Sequence, residues 1–136
     1  MKFQPKEIEI KTKKKFEIIN ITKQVQDFVL KNKVEKGIIN ISTKHTTSAI
    51  IINENEPNLL QDIENNLAQL FPENKKYLHN IHDNNAASHL KSILLSSNQT
   101  IPITNKKLAI GNWQSILFVE LDGPRERIVT LLLIRE

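Results

Sequence analysis

The longest apolar run in this 136-residue chain is Ile128–Ile134, and it is broken by Thr130. That is far short of the ~20 residues needed to cross a bilayer as a helix, so the run reads as a long final strand beginning at Arg127. Shorter β-branched runs recur upstream. Glu7 to Lys13 alternates, with Ile8 and Ile10 on one face, and Phe16–Ile21, Ile38–Thr43, Ser48–Ile52, Gln99–Thr104, Leu108–Ile110 and Ser115–Leu121 also read as strands. Helical spacing is confined to three places. Val25, Phe28 and Val29 mark a helix over 23–33 after a Thr22 cap; Leu59, Ile63, Leu67 and Leu70 mark one over 59–71 after an Asn58 cap; Ala86–Leu95 is the third. Lys13-Lys14-Lys15 reads as a hairpin turn. The expected fold is α+β, a compact sandwich of mostly antiparallel sheet with about three packed helices, in one domain spanning 1–136.

Several chemistries are excluded at once. The chain has no cysteine, so disulfides, iron–sulfur clusters, thiolate zinc sites and Cys nucleophiles are out. A net charge of +4 is too small and too dispersed for a dedicated nucleic-acid binder. The N-terminal segment lacks the apolar core of a secretory signal, and nothing reads as a membrane anchor; a soluble cytoplasmic protein is expected.

The candidate chemistry lies in five segments. His45 sits at a strand-to-strand junction before Thr46 and Thr47, and His79, His82 and His89 fall within eleven residues around the Asp- and Asn-rich loop that holds Asp83. The inventory of a three-histidine or two-histidine–carboxylate metal site is present, although the spacing matches no local zinc motif, and polar-loop surface histidines are the alternative. Asn53 and Glu54 follow a strand, where Glu54 is either a general base or part of a solvated turn. Trp113, the only tryptophan, lies in Gly111-Asn112-Trp113-Gln114 and either stacks on a flat heterocycle or fills a sheet corner. Arg125 and Arg127 follow a Gly-Pro turn, as a phosphate or carboxylate clamp or as solvated turn residues.

Taken together these segments resemble the YjbQ family, also described as secondary thiamine-phosphate synthases. The matching elements are His45-Thr46-Thr47-Ser48-Ala49 with Ile52-Asn53-Glu54-Asn55, then Tyr77-Leu78-His79, then Ser88-His89-Leu90-Lys91-Ser92 and Ile101-Pro102-Ile103. The most specific is Lys107–Gln114, followed by Glu120 and Gly123-Pro124-Arg125. Asn112 stands where the family usually has threonine, and the loop before His89 carries less acid and no glycine.

The resemblance implies a homotrimer and a transferase joining a hydroxymethylpyrimidine pyrophosphate to a thiazole phosphate. It implies catalytic roles for His45, His89 and Glu54, and substrate contacts from Thr46, Thr47, Asn53, Lys91, Trp113, Gln114 and Arg125. Since His45, His79 and His89 all match family motif positions, they are expected to converge on one site for a divalent metal, zinc or magnesium, or for a phosphate, with Asp83 as a fourth ligand or as the group that orients one. A trimeric metal- or phosphometabolite-binding protein with little turnover, and a metal-dependent phosphoester hydrolase using Glu54 as base, are the alternatives. In each case the partner is a small phosphorylated molecule.

Overall fold

The computed structural model describes residues 1–136. Eight strands and three α-helices run in the order β1 Lys2–Lys11, β2 Glu17–Asn20, α1 Thr22–Lys31, β3 Lys36–Thr43, β4 Ser48–Asn53, α2 Pro57–Leu70, α3 Ala86–Leu95, β5 Asn98–Thr104, β6 Lys107–Leu108, β7 Ser115–Glu120 and β8 Glu126–Arg135, with a 3-10 turn at Leu78–Ile81. The strands form two antiparallel sheets, one of five in the order β1-β8-β3-β5-β6 and one of three in the order β2-β7-β4. The α+β sandwich expected from the periodicity is the fold observed.

The two sheets share one core. Alternate residues of β8, Val129, Leu131 and Leu133, point inward to meet Ile39 and Ile41 of β3, Ile101 and Ile103 of β5, and Phe118 of β7. Val25, Phe28 and Val29 of α1 close the same cluster. Each fully buried side chain of this size contributes about 1.5–3 kcal/mol of transfer free energy. On its other face the three-stranded sheet carries α3, packed over Ala49, Val119 and Leu121 with Phe16, Ile18, Ile51 and Leu95. No helix in the structure is long and apolar enough to cross a membrane.

Three local expectations are corrected. Lys13–Lys15 is no hairpin, because β1 pairs with β8 and β2 with β7, so this segment carries the chain from one sheet to the other. Helix α2 is capped by Glu56, whose carboxylate accepts from Leu59 N at 2.6 Å, not by Asn58. That assignment suits Pro57, whose missing N–H is harmless at the first helical position. The Thr22 hydroxyl does not cap α1 either; it accepts from Ile116 N at 2.8 Å and so ties the helix start to β7.

Candidate functional site

The β3–β4 connection is short and crosses between the sheets, so its residues sit at the open end of the sandwich. Thr43 fixes its shape. Its hydroxyl lies 2.8 Å from the Ser48 hydroxyl and accepts from His45 N at 3.2 Å. His45 is thereby turned back onto β8, where its Nε2 accepts from Ile128 N at 3.1 Å. β3 pairs with β8 only as far as Thr43–Val129, so the imidazole continues the ladder one residue beyond the strand's end. Accepting at Nε2 leaves the ring proton on Nδ1 in the neutral form. Burial, with the positive charge of Arg127, holds the His45 pKa below the ordinary histidine value.

Helix α3 supplies the facing wall, and two serines pin it. Ser88 Oγ donates to Leu121 O at 2.6 Å and Ser92 Oγ to Ser48 O at 2.7 Å, so the helix cannot slide along the sheet. His89, one residue on from Ser88, projects from the flank of this face toward His45, and both histidines line the same cleft. His79 packs edge-on against His89, with ring centroids 4.8 Å apart, and its Nε2 lies 3.1 Å from Asn85 Oδ1.

The floor is a buried ion pair. Arg127 is in phase with the inward-facing Val129 and Leu131, and only 4% of it is exposed; Glu120, at the end of β7, is fully buried. Arg127 Nε donates to Glu120 Oε1 at 2.9 Å, and Nη2 donates to Glu120 Oε2 and to the carbonyl and hydroxyl of Thr47, at 3.1 and 2.8 Å. Glu120 also accepts from the Thr12 hydroxyl at 2.7 Å and from Asp122 N at 3.1 Å. Burial alone would raise the Glu120 pKa, but these donors outweigh it and hold the carboxyl below the usual range. Asp122 behaves the same way: burial pushes it up, and Lys15, Asn85 and Arg125 pull it down further.

The cleft enclosed by these elements has a volume of ≈ 510 Å³, and no apolar side chain lines it. Lys44, His45, His89, Arg125 and Arg127 supply positive charge or donors, Thr46, Thr47 and Asn85 add polar groups, and Asp83 is the one acid. A second lobe of ≈ 590 Å³ adjoins it through Lys44, His45, Thr46 and His89, and extends to Ser92, Ile93 and Ser96. Such a surface is rich in donors for a polar ligand.

The structure thus gathers His45, Thr46, Thr47, Asp83, His89 and Arg125, and leaves the other sequence candidates elsewhere. Asn53, Glu54, Trp113 and Gln114 line a separate ≈ 330 Å³ depression with Ile52. In the β4–β7 register Ser48 is opposite Glu120 and Asn53 opposite Ser115, so the two groups occupy opposite ends of the pair, roughly 17 Å apart at ~3.3 Å per residue. Trp113 is no sheet-corner core residue; it is 76% exposed. Lys91 lies outside both lobes of the cleft, on the buried flank of α3, and burial pushes its pKa down. Thr47 spends its hydroxyl oxygen on Arg127.

The four-residue metal set does not assemble in this structure. No three His, Asp or Glu side chains stand together in a way that could hold a metal ion. His45 Nε2 is engaged by Ile128 N and His79 Nε2 lies against Asn85 Oδ1, so each ring has only Nδ1 left to offer. The sequence offers Arg127 as the start of the last strand and as half of an arginine clamp, but not as a buried group paired with Glu120. The signal that could have found it is its in-phase position on an apolar strand, where a buried guanidinium demands a carboxylate on a neighbouring strand.

Comparison with known proteins agrees on one family. Residues 6–136 match the model described as UPF0047 protein YjbQ-like. A UPF0047 protein of Methanothermobacter thermautotrophicus is 45% identical, covering 93% of this chain and 89% of its own. The Bacillus subtilis UPF0047 protein YugU is 36% identical over 90% of this chain and 92% of its own. The crystal structure of a YbjQ-like protein of Sulfolobus solfataricus superimposes with a TM-score of 0.97 at 37% identity, covering 99% of both chains.

Proposed function

Because this chain belongs to the YjbQ-like UPF0047 family, we propose that its cationic cleft holds the phosphate groups of a small phosphorylated substrate, and that the protein is a transferase of the thiamine-phosphate synthase type. The observation that carries the reading is the cleft itself, in which Lys44, His45, His89, Arg125 and Arg127 surround a volume with no apolar lining. In the reaction, a bond forms between the thiazole nitrogen and the exocyclic methylene carbon of the pyrimidine. The bond from that carbon to the pyrophosphate oxygen breaks, and its electron pair leaves with the pyrophosphate. No protein nucleophile is required. The barrier lies in the charge that gathers on the departing oxygens, and fixed cationic donors lower it. Arg125, Arg127 and Lys44 neutralise that charge, His89 and the Thr46 hydroxyl donate to it, and His45 Nδ1–H adds a further donor.

The pyrimidine carbon becomes electron-poor as the leaving group departs, and an aromatic face opposite it would stabilise that state. Within one chain no Phe, Tyr or Trp side chain lines the cleft. We therefore assign this role to Trp113 of a neighbouring copy in a homotrimer, with Gln114 of the same turn and Asn53 and Glu54 of the adjoining strand end arriving beside it to orient the heterocycle. Head-to-tail packing around a three-fold axis brings opposite ends of identical subunits together. The outer face of the five-stranded sheet supports assembly as well, since Phe3, Ile38 and Ile128 are exposed on it and no helix is placed across it.

Incubating the purified protein with hydroxymethylpyrimidine pyrophosphate and thiazole phosphate should release pyrophosphate and thiamine phosphate in equal amounts. His89→Ala should lower turnover by about 10²-fold while leaving fold and assembly intact. Absence of product from a folded protein that binds pyrophosphate would favour the binding-protein alternative. A monomer mass by light scattering would remove Trp113 from the site.

A further inference from the structure

The two arginines of the Gly-Pro segment differ in kind. Arg125 is half-exposed and already bound to Asp122, through Nε to the backbone carbonyl at 2.8 Å and Nη2 to the carboxylate at 2.9 Å. Arg127 is buried, and its guanidinium is held on two edges, Nε and Nη2, by Glu120 and Thr47. Its third nitrogen, Nη1, makes no hydrogen bond within the chain, yet Arg127 lines the polar cleft. A guanidinium has five N–H donors in a rigid fork, so fixing two edges fixes where the third points. The conformational entropy of this long side chain is already lost on folding, and an anion that meets Nη1 loses none of its affinity to ordering it.

We propose that Arg127 is the principal anion receptor of the cleft, and that Glu120 is the residue that positions it. The inference rests on the cleft being the phosphate site, and goes beyond it by naming which cation receives the anion and what aims it. Glu120 does not touch the ligand. Both its oxygens are saturated by Thr12, Arg127 and the Asp122 N–H, so the carboxylate is itself immobile and transmits that rigidity to the guanidinium. The network joins β7, β8, the β3–β4 turn and Thr12, the residue just after β1, so the receptor is set by both sheets at once. The ligand class is a phosphate or pyrophosphate ester, whose tetrahedral oxygens accept from Nη1 while Arg125, Lys44 and His89 line the sides of the cleft.

The test is binding of inorganic pyrophosphate by calorimetry, with the arginine guanidinium resonances of the intact protein followed by NMR. Arg127→Lys keeps the charge and can still pair with Glu120, but it cannot offer a third edge. It should weaken binding by about 10-fold or more, the scale of one charge-assisted hydrogen bond. Glu120→Asp also keeps the charge and withdraws the carboxylate by one methylene; it should weaken binding by about 3- to 10-fold through lost aim alone. In the wild type, pyrophosphate should shift the Arg127 guanidinium signals, and this readout decides the matter if either variant fails to fold. A folded Arg127→Lys within about 2-fold of wild type, or Arg127 signals that stay put while pyrophosphate binds, overturns the receptor assignment. Unchanged affinity in folded Glu120→Asp overturns the positioning role. Binding through Arg127 without transfer activity would end the transferase reading and leave this inference standing, whereas a wild type that binds no pyrophosphate ends both.

Discussion

Gly123 lies directly behind the Glu120–Arg127 network, and replacing it by alanine is the sharpest probe of how the site is supported. A Cβ there would sit 2.1 Å from Lys14 O, 2.8 Å from Glu120 Cγ and 3.0 Å from Thr12 Oγ1. The first of these is backbone, so it cannot be relieved by a rotamer change; one of the two segments must move by about 1 Å. The move strains the Gly123 N to Lys15 O bond at 3.0 Å and the Thr12 hydroxyl bond to Glu120. Overpacking of this kind costs about 1–3 kcal/mol, and each hydrogen bond pulled out of line about 1 kcal/mol more, for roughly 3–5 kcal/mol in all. A chain of 136 residues has an unfolding entropy of about 0.3 kcal/mol/K, so Tm should fall by about 10 °C or more. Scanning calorimetry measures this directly.

Two other glycines calibrate the result. At Gly37 a Cβ would meet Ile134 O at 2.4 Å, in the sheet and far from the cleft, so Gly37→Ala should lower Tm comparably and leave pyrophosphate affinity alone. At Gly111 the nearest atom is Gln114 Oε1 at 3.5 Å, an ordinary contact, and Tm should move by no more than about 2 °C. Gly123→Ala alone should lose both stability and affinity. If its Tm stays within about 2 °C of wild type, the close approach of the Lys14 backbone does not constrain the site and the reasoning fails.

Other outcomes follow from the same geometry. Because the folded His45 pKa is depressed, its contribution is complete above about pH 6.5 and is lost as pH falls toward the folded value; His45→Gln, which can still accept from Ile128 N, should flatten that limb of a Tm-against-pH curve. The depressed Glu120 and Asp122 act lower: their stabilisation is present above the ordinary carboxylate range and disappears as pH drops through their folded values, so acid unfolding below about pH 4 should be less steep in Asp122→Asn. Lys91 is buried with a lowered pKa and no ion pair, so Lys91→Met should raise Tm, by about 3 °C if the gain is near 1 kcal/mol. Leu131→Ala, at a fully buried core position, should cost about 2–5 kcal/mol in a denaturant titration without changing the cleft's ligand preference.

Much of the fold was legible as a list of elements. Helix α3 was read to the residue at Ala86–Leu95, and the strand at Ser48 to within one. The pairings were not. Short connections suggest hairpins, yet β1–β2, β3–β4, β6–β7 and β7–β8 all cross between the sheets, and only β5–β6 joins pairing neighbours. The reason is physical. Side-chain periodicity reports which face of a strand is buried, while the ladder itself is made of backbone groups that are alike at every residue and so name no partner.

The candidate site divides along the same line. The sequence by itself determined which chemistry is available: histidines, hydroxyls, arginines and no thiol, together with the motifs that carry the family resemblance. Tertiary structure decided which of these meet. It put His45 and His89 across one polar cleft, engaged the ring nitrogens of His45 and His79 in other bonds, and sent Glu54 and Trp113 to the far end of the β4–β7 pair. It also turned Arg127, one of two similar arginines in a turn, into a buried and immobile donor, because only folding brings Glu120 and Thr47 within reach of it. A local pattern fixes burial and propensity, but the aim of a long side chain is set by atoms distant in sequence, and those are known only once both sheets have closed.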